Sequence, residues 1–390
     1  MKFIHTSDWH VGKTLAGKHR HEEQTAVLDE IVDIALREQV DAVLVAGDLY
    51  DSTAPTADAQ RLLVRTLLTL ADAGIEVVAM AGNHDHPGTF DAYRPLMAHV
   101  GIHLLGRPRD AQSGGVYAFN ARSTGEPVSI AVLPFVSQRS AVRAAEIIAN
   151  TPAENTGIYA DLVRASIAAL SAAFQPDAVN IVMAHLTCIG AKTGGGERDA
   201  HTVFDYAVPV SVFPHDASYV ALGHLHRRQV VPAVSPVHYC GSPLTIDFGE
   251  EENAPVVCIV EAHPGLPAQV RDVPITVSRR FQTLRGTIEQ LTALAEKENF
   301  DDKVLRVVVT QPSFVGLREA VLSVLPNAVQ IRIDPQHSAP TGTRALRDIS
   351  TQTPARLFAD FCADRNIDDP RLNALFDELY EAAASAEFGD

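Results

Sequence analysis

Five short polar clusters, each set directly behind an apolar stretch with strand character, constrain this chain more than any other feature. Asp8-Trp9-His10 follows Lys2–Thr6, Gly47-Asp48-Leu49-Tyr50-Asp51 follows 43–46, and Gly82-Asn83-His84-Asp85 follows 77–80. His185 follows 181–184, and Gly223-His224-Leu225-His226 follows 220–222. In sheets covered by helices, ligand sites lie beyond the carboxyl ends of the strands. Five clusters at five strand ends can therefore converge on one cleft. Each alone is a weak signal, because a chain with 16 His yields Asp-x-His and His-x-His pairs by chance. Asp199-Ala200-His201 reads as such an accident. What carries weight is that order, ligand type and strand-end position agree across all five.

The segments around the clusters alternate in character. A strand is expected over Lys2–Thr6, a helix over 21–39 with Val27, Ile31 and Ile34 on one face, and a buried strand over 40–46. A helix over 58–73 ends at Gly74, and 76–80 is the next strand. From about residue 115 helices thin out, apart from 141–148 and 160–174. Short strands follow at 129–133, 180–184, 219–222, 237–240 and 256–260, suggesting a second, more antiparallel sheet packed on the first. The Pro-rich stretch 263–274 reads as a linker. Strand–helix–strand–helix–strand over 280–333 then reads as a separate small α/β unit. A loose segment, 335–350, precedes two terminal helices, where Thr353-Pro354 and Asp369-Pro370 each place an N-cap residue before Pro.

Composition narrows the class. With 390 residues, 46% of them hydrophobic, the chain has room for two or three domains with real cores and is neither a disordered tail nor a disulfide-stapled module. The four cysteines, Cys188, Cys240, Cys258 and Cys362, are scattered, so Cys-ligated metal is not expected. No apolar run suits a signal peptide or a membrane span, which points to a cytoplasmic protein. A formal charge of −16 argues against non-specific coating of DNA or of an anionic membrane. It leaves open an enzyme acting on phosphates at one local site.

The clusters' chemistry suits two divalent metals. Asp, His and Asn offer mixed oxygen and nitrogen ligands, fitting Mn²⁺, Fe or Zn²⁺ better than a Ca²⁺ cage. Two close cations repel, so a shared carboxylate is expected, and Asp48 is the best placed. Gly47, Gly82 and Gly223 would let the chain turn sharply toward the metals. Gly12-Lys13-Thr14 is not the end of a Walker A loop, because its first Gly would fall at Ser7, so no nucleotide site is expected.

The order D-x-H, GD-x-x-D, GNHD, H, GH-x-H resembles the signature of the calcineurin-like metallophosphoesterases. The segments 5–13 (HTSDWHVGK), 45–55 (VAGDLYDSTAP), 80–85 (MAGNHD), 221–229 (ALGHLHRRQ) and 239–250 (YCGSPLTIDFGE) resemble, within that superfamily, the bacterial double-strand-break repair nucleases over essentially the whole chain. The resemblance implies a two-sheet α/β sandwich flanked by helices (1–275), a small α/β capping domain that contacts DNA (276–335), a linker (336–352) and a helical hairpin (353–387). It implies one metal on Asp8, His10, Asp48 and His226, and a second on Asp48, Asn83, His185 and His224. Mn²⁺ comes first among the candidate ions, ahead of Mg²⁺, Fe and Zn²⁺. His84 would face the scissile phosphate, with Asp85 orienting it as a partner carboxylate. Asp51 departs from the His common in archaeal and eukaryotic relatives.

The same resemblance implies double-strand 3′–5′ exonuclease and single-strand or hairpin endonuclease action on DNA, in repair, recombination and replication. It also implies an SMC-like ATPase partner, a homodimer within a heterotetramer, and a place near the nucleoid. A small-molecule phosphoesterase, such as a nucleotidase or cyclic-nucleotide phosphodiesterase, would share every ligand and is the alternative. The domain after 275 argues against it.

Lys13, Lys18, Arg20, Arg227 and Arg228 flank the first and last motifs and read either as a solvated loop or as phosphate-steering groups. Glu250-Glu251-Glu252 reads as a solvated face. Leu357, Phe358 and Phe361, then Leu372, Leu375, Phe376, Leu379 and Tyr380, form apolar stripes at helical spacing. They either pack on their own domain or, as the resemblance implies, grip the base of the partner's coiled coil. Charge is uneven: residues 1–275 carry 19 basic and 31 acidic groups (net −12), 276–350 carry 10 and 8 (net +2), and 351–390 carry 3 and 9 (net −6).

Overall fold

A computed structural model describes residues 1–137, 152–197 and 207–337, together with 358–359, 361–362, 371–372 and 374–376. Met1–Arg332 forms one compact unit and Ile333–Asp390 a second. The expected helix at 141–148 lies outside the described residues.

The first unit is built on two six-stranded sheets. In the first sheet, β1 (Lys2–Thr6), β4 (Ala42–Val45), β5 (Glu76–Met80) and β6 (Ile102–Leu105) are parallel neighbours, and β15 (Val256–Glu261) and β16 (Gln269–Pro274) close the β1 side as antiparallel strands. The second sheet runs β13 (Gln229–Val231), β14 (Val237–Tyr239), β12 (Tyr219–Gly223), β9 (Val179–His185), β8 (Pro127–Leu133) and β7 (Val116–Asn120). Two short pairs, β2 (Thr14–Leu15) with β3 (Lys18–His19) and β10 (Thr187–Cys188) with β11 (Ala207–Val208), decorate the loops.

The sandwich follows from residue alternation. Along a strand, successive side chains face opposite ways, and these strands are apolar on both faces. Leu44, Val78, Met80, Ile181 and Met183 enter the core between the sheets. Val43, Val45, Val77 and Ala79 point to the outer face of the first sheet, where α1 (His21–Glu38), α2 (Ala57–Asp72) and α3 (Pro87–Ala98) cover them. Val182 and Ala184 point the other way, under α4 (Pro152–Ser171). Val27, Ile31 and Ile34 are indeed the buried stripe of α1, and α2 buries Leu63, Leu67 and Leu70. Truncating one such side chain to Ala typically costs about 2–5 kcal/mol.

Two expectations about the fold need correction. The second sheet is not mainly antiparallel, because β8, β9, β12 and β14 pair in parallel and only the edge strands β7 and β13 run antiparallel. Its short, closely spaced strands look like hairpins in sequence, but α4 and long loops provide the crossovers that parallel pairing requires. The Pro-rich 263–274 stretch is not a free linker, since its second half is β16, paired with β15 from Val256↔Pro274 to Glu261↔Gln269. Its Pro274 sits on an edge strand, where a missing N–H is tolerated.

β17 (Arg280–Gly286), β18 (Lys303–Val309) and β19 (Ala328–Ile333) make a small three-stranded sheet, with α5 (Ile288–Ala295) and α6 (Leu317–Val324) as connections. Leu15, Phe248, Phe281 and Val304 form the apolar contact that joins it to the main sandwich. In the second unit, Phe358 stacks on Phe376 with ring centroids 4.3 Å apart, and Cys362 is buried, while Phe361, Leu372 and Leu375 are exposed. Leu357, Leu379 and Tyr380 lie outside the described residues. No helix among the described residues is long and apolar enough to cross a membrane.

Candidate metal centre

The carboxyl ends of β1, β4, β5, β9 and β12 bring the five clusters together. Asp8, His10 and His226 form one group whose ligand atoms lie within 4.8 Å of one another; His10, Asp48 and His84 form a second, and Asp48, His185 and His224 a third. Asp48 thus lies between the groups: its Oδ2 is 3.8 Å from His10 Nε2 and 3.4 Å from His185 Nε2. Asn83 Oδ1 is 2.9 Å from His185 Nε2 and 2.8 Å from His224 Nδ1. All seven expected ligands, together with His84, are therefore brought into one buried cluster.

The backbone is bent to achieve this. Asp8 (φ 55°), His10 (45°), Asp48 (50°) and His224 (97°) all occupy the left-handed region, which is unfavourable for residues bearing a Cβ. The expected role of the glycines holds at Gly47, whose φ is +96°, but Gly82 works differently. Its backbone is ordinary, and a Cβ there would fall 2.2 Å from Asp48 Oδ1, so it serves close approach of two loops.

Two of the imidazoles, His185 and His226, are aimed by a hydrogen bond on the far nitrogen. His185 Nδ1 donates to Ala46 O at 2.8 Å, which turns Nε2 toward Asp48 and Asn83. His226 Nδ1 meets Glu250 Oε1 at 2.6 Å, and its Nε2 lies 3.1 Å from His10 Nε2. Behind His10, Asp51 Oδ1 is 3.4 Å from Nδ1 and is also paired with Lys13 Nζ at 3.1 Å. Partners of this kind fix the tautomer and raise the basicity of a ligating imidazole.

Burial and charge set the protonation states. Burial opposes a charge on His226, but the Glu250 carboxylate outweighs it and raises the pKa to about 10. Burial likewise opposes a charge on His185, and Asp48 raises it to about 9. His10 is lowered by burial to about 4. Burial raises Asp8 to about 6, whereas for Asp48 the same penalty is overcome by His185 and His10, which hold it well below the usual carboxylate range.

The residues fit divalent cations. His10 and His226 turn ring nitrogens toward each other at 3.1 Å, where one proton at most can sit between them. Among the described residues no Lys or Arg pairs with Asp8 or Asp48; imidazoles, the Ser7 hydroxyl and the backbone N–H groups of His84 and His224 offset their buried charge. Buried carboxylates and imidazoles in this state are what coordination of a cation relieves.

Several expectations change. Asp85, expected to orient His84, accepts through its carboxylate from the backbone N–H groups of Leu49, Tyr50 and Gly82, tying the β4 loop to the β5 loop, and burial with Asp48's charge raises its pKa to about 7. His84 Nδ1 donates to Asp51 O at 2.8 Å, so Asp51 meets His84 through its backbone and His10 through its side chain. Arg20 is buried: it donates to Thr245 O, pairs with Glu23 and lies over the Phe281 ring, leaving nothing to steer a phosphate. Arg228 is used by Asp272 and Tyr239 O. Lys18 is exposed and Arg227 half-buried. Glu250 is not a solvated residue; it is 2% exposed and backs His226. Sequence reading also missed Glu197, which accepts from His226 N–H and from the N–H groups of Gly194 and Gly195. Its only signal was the Gly-Gly-Gly-Glu run at 194–197.

A sandwich whose strand ends carry overlapping Asp/His groups, two of them sharing one carboxylate, defines a class, the metal-dependent phosphoester hydrolases. The sequence model of the calcineurin-like phosphoesterase family matches residues 1–228. The SbcD subunit of the nuclease SbcCD from Bacillus subtilis (strain 168) is 37% identical to this chain over 303 residues, 76% of each chain. Its counterpart of the same name from Escherichia coli (strain K12) is 31% identical over 310 residues, 76% of this chain and 74% of that one. The one from Rhodobacter capsulatus is 30% identical over 383 residues, 92% and 94% of the two chains. The chain belongs to the calcineurin-like phosphoesterases and, within them, to the SbcD family of SbcCD nuclease subunits.

Proposed function

We propose that this chain is the nuclease subunit of an SbcCD-type complex, hydrolysing DNA phosphodiesters with two Mn²⁺ ions and working with SbcC, the SMC-like ATPase. The observation that carries the reading is the pair of groups sharing Asp48, His10–Asp48–His84 and Asp48–His185–His224, with Asp8 and His226 grouped on the same His10. Asp8, His10, Asp48 and His226 would hold one ion, and Asp48, Asn83, His185 and His224 the other. When bound, two such cations supply a nucleophile at neutral pH and neutralise charge on the phosphoryl oxygens. The chain's own contribution is positional. Asp48 holds the two sets in register, and His185 and His226 present Nε2 because their Nδ1 atoms are tied to Ala46 O and Glu250. His84, anchored through Nδ1 to Asp51 O, presents Nε2 to the phosphate and, protonated, hydrogen-bonds a phosphoryl oxygen or delivers a proton to the leaving oxygen.

In the same reading, residues 1–275 form the nuclease domain, 276–335 cap it and touch DNA, and the 353–387 hairpin grips SbcC in a complex containing two copies of each chain. The activities are exonuclease on duplex ends and endonuclease on single strands and hairpins. The test is a Mn²⁺ assay on hairpin DNA and on a chromogenic phosphodiester, with and without SbcC. Cleavage of hairpin DNA, stimulated by SbcC and ATP, supports the reading. Cleavage of the small ester alone moves the chain to the small-molecule phosphoesterases.

A further inference from the structure

The turn Asp247–Asn253 faces two ways. On its inner side, Glu250 Oε1 meets His226 Nδ1 at 2.6 Å, while Oε2 accepts from Ile246 N–H at 2.8 Å. On its outer side, the Phe248 ring packs on Phe281 with centroids 4.8 Å apart, and the Arg306 guanidinium lies 4.9 Å from the Phe248 centroid. Glu251, next in the chain, accepts from the N–H and hydroxyl of Thr283 and pairs with Arg306 Nη2 at 3.2 Å. Phe281 and Thr283 belong to β17, and Arg306 to β18. Adjacent glutamates on one short turn thus hold an imidazole of the centre and the small sheet.

The turn has little room to absorb movement. Asp247 closes it by accepting from Gly249 N–H, and Glu250 O accepts from Asn253 N–H. The glycine run at 194–196 presses on its inner side: a Cβ at Gly196 would fall 1.9 Å from Glu250 Oε1, and one at Gly195 2.5 Å from Gly249 O. Glu197 then holds the His226 backbone from the same side.

We propose that Glu250 is a positioning residue for His226 and that the Asp247–Asn253 turn transmits the seating of the small sheet to the metal centre. A small sheet held by Glu251, Phe248 and Arg306 keeps the Glu250 carboxylate against the imidazole. Loosening it lets that carboxylate, and then the imidazole, drift. The inference rests on the two-metal reading above, and it gives the capping sheet a means of setting metal occupancy when it is displaced.

The experiment titrates the metal-free, full-length chain with Mn²⁺ by calorimetry. Wild type is expected to take up two equivalents, and His226→Ala identifies the one that depends on His226. Glu250→Gln weakens that equivalent about 10–100-fold, the usual loss when a carboxylate behind a ligating His is removed, and leaves the other unchanged. Glu251→Gln and Arg306→Ala, at partly exposed positions, weaken the same equivalent by a smaller factor. Glu250→Gln combined with Arg306→Ala costs no more than Glu250→Gln alone, because the effect of Arg306 passes through Glu250. General loss of packing would instead weaken both equivalents. Two unchanged equivalents in Glu250→Gln, or in both Glu251→Gln and Arg306→Ala, overturn the inference while the two-metal reading stands. A wild-type chain that binds no Mn²⁺ overturns that reading as well. Should Glu250→Gln fail to fold, the Glu251 and Arg306 variants still decide the matter.

Discussion

At the scale of single residues, the centre is a set of groups held in states they would not adopt alone. Four of its side chains, on Asp8, His10, Asp48 and His224, stand on backbone with φ between 45° and 97°, at a typical cost of about 1–3 kcal/mol each. The protonation states are equally displaced, with His185 and His226 raised to about 9 and 10. With pKa values raised this far, both rings are held toward the imidazolium form at neutral pH, and each ring's second proton must leave before its nitrogen can bind a cation. Mn²⁺ affinity accordingly rises with pH between about 6 and 8, and binding releases protons. Calorimetry in buffers of different ionisation enthalpy measures that release, and binding heats that do not vary with the buffer would contradict it. His84 is different in kind, since it is tied to Asp51 O and is expected to meet substrate. His84→Ala should abolish DNA cleavage and leave two metals bound, as counted by elemental analysis. Loss of a metal from that variant would make His84 a ligand.

At the scale of elements, the site is made by loops that must approach closely. Gly82→Ala places a Cβ 2.2 Å from Asp48 Oδ1, so it should reduce Mn²⁺ uptake with no ligand changed and with circular dichroism like that of wild type. Normal uptake in that variant would show that the β4 and β5 loops tolerate separation. What the sequence made legible follows from the same geometry. Asp8, His10, Asp48, Asn83, His185, His224 and His226 stand at or just beyond strand ends, so local pattern located their clusters and the resemblance singled them out as ligands. Glu250 and Glu197 stand on loops far from any strand end they serve. Their carboxylates become functional only when 194–197 and 247–253 fold over His226, which no local periodicity reports. Arg20 misled for the opposite reason: a basic residue beside a motif looks exposed until β17 brings Phe281 over it. The parallel pairing of the second sheet was hidden likewise, because register between distant strands leaves no trace in either strand alone.

At the scale of the whole molecule, the net charge is −16, and Arg20 and Arg228 are bonded within the protein. Affinity for DNA follows the number of phosphates neutralised, so in the proposed complex strong holding of a duplex is expected to fall to the partner. Deletion of residues 351–390 is expected to leave folding and Mn²⁺-dependent cleavage intact and to abolish co-purification with SbcC. Retained binding by the truncated chain would remove the hairpin from that role. On the proposed reading, the chemistry of the centre depends on two cations sharing Asp48. Anomalous diffraction from crystals grown with Mn²⁺ tests this most directly. Two peaks about 3.5–4 Å apart, one on either side of the Asp48 carboxylate, are the predicted result. A single peak, or two that do not share Asp48, would contradict the account.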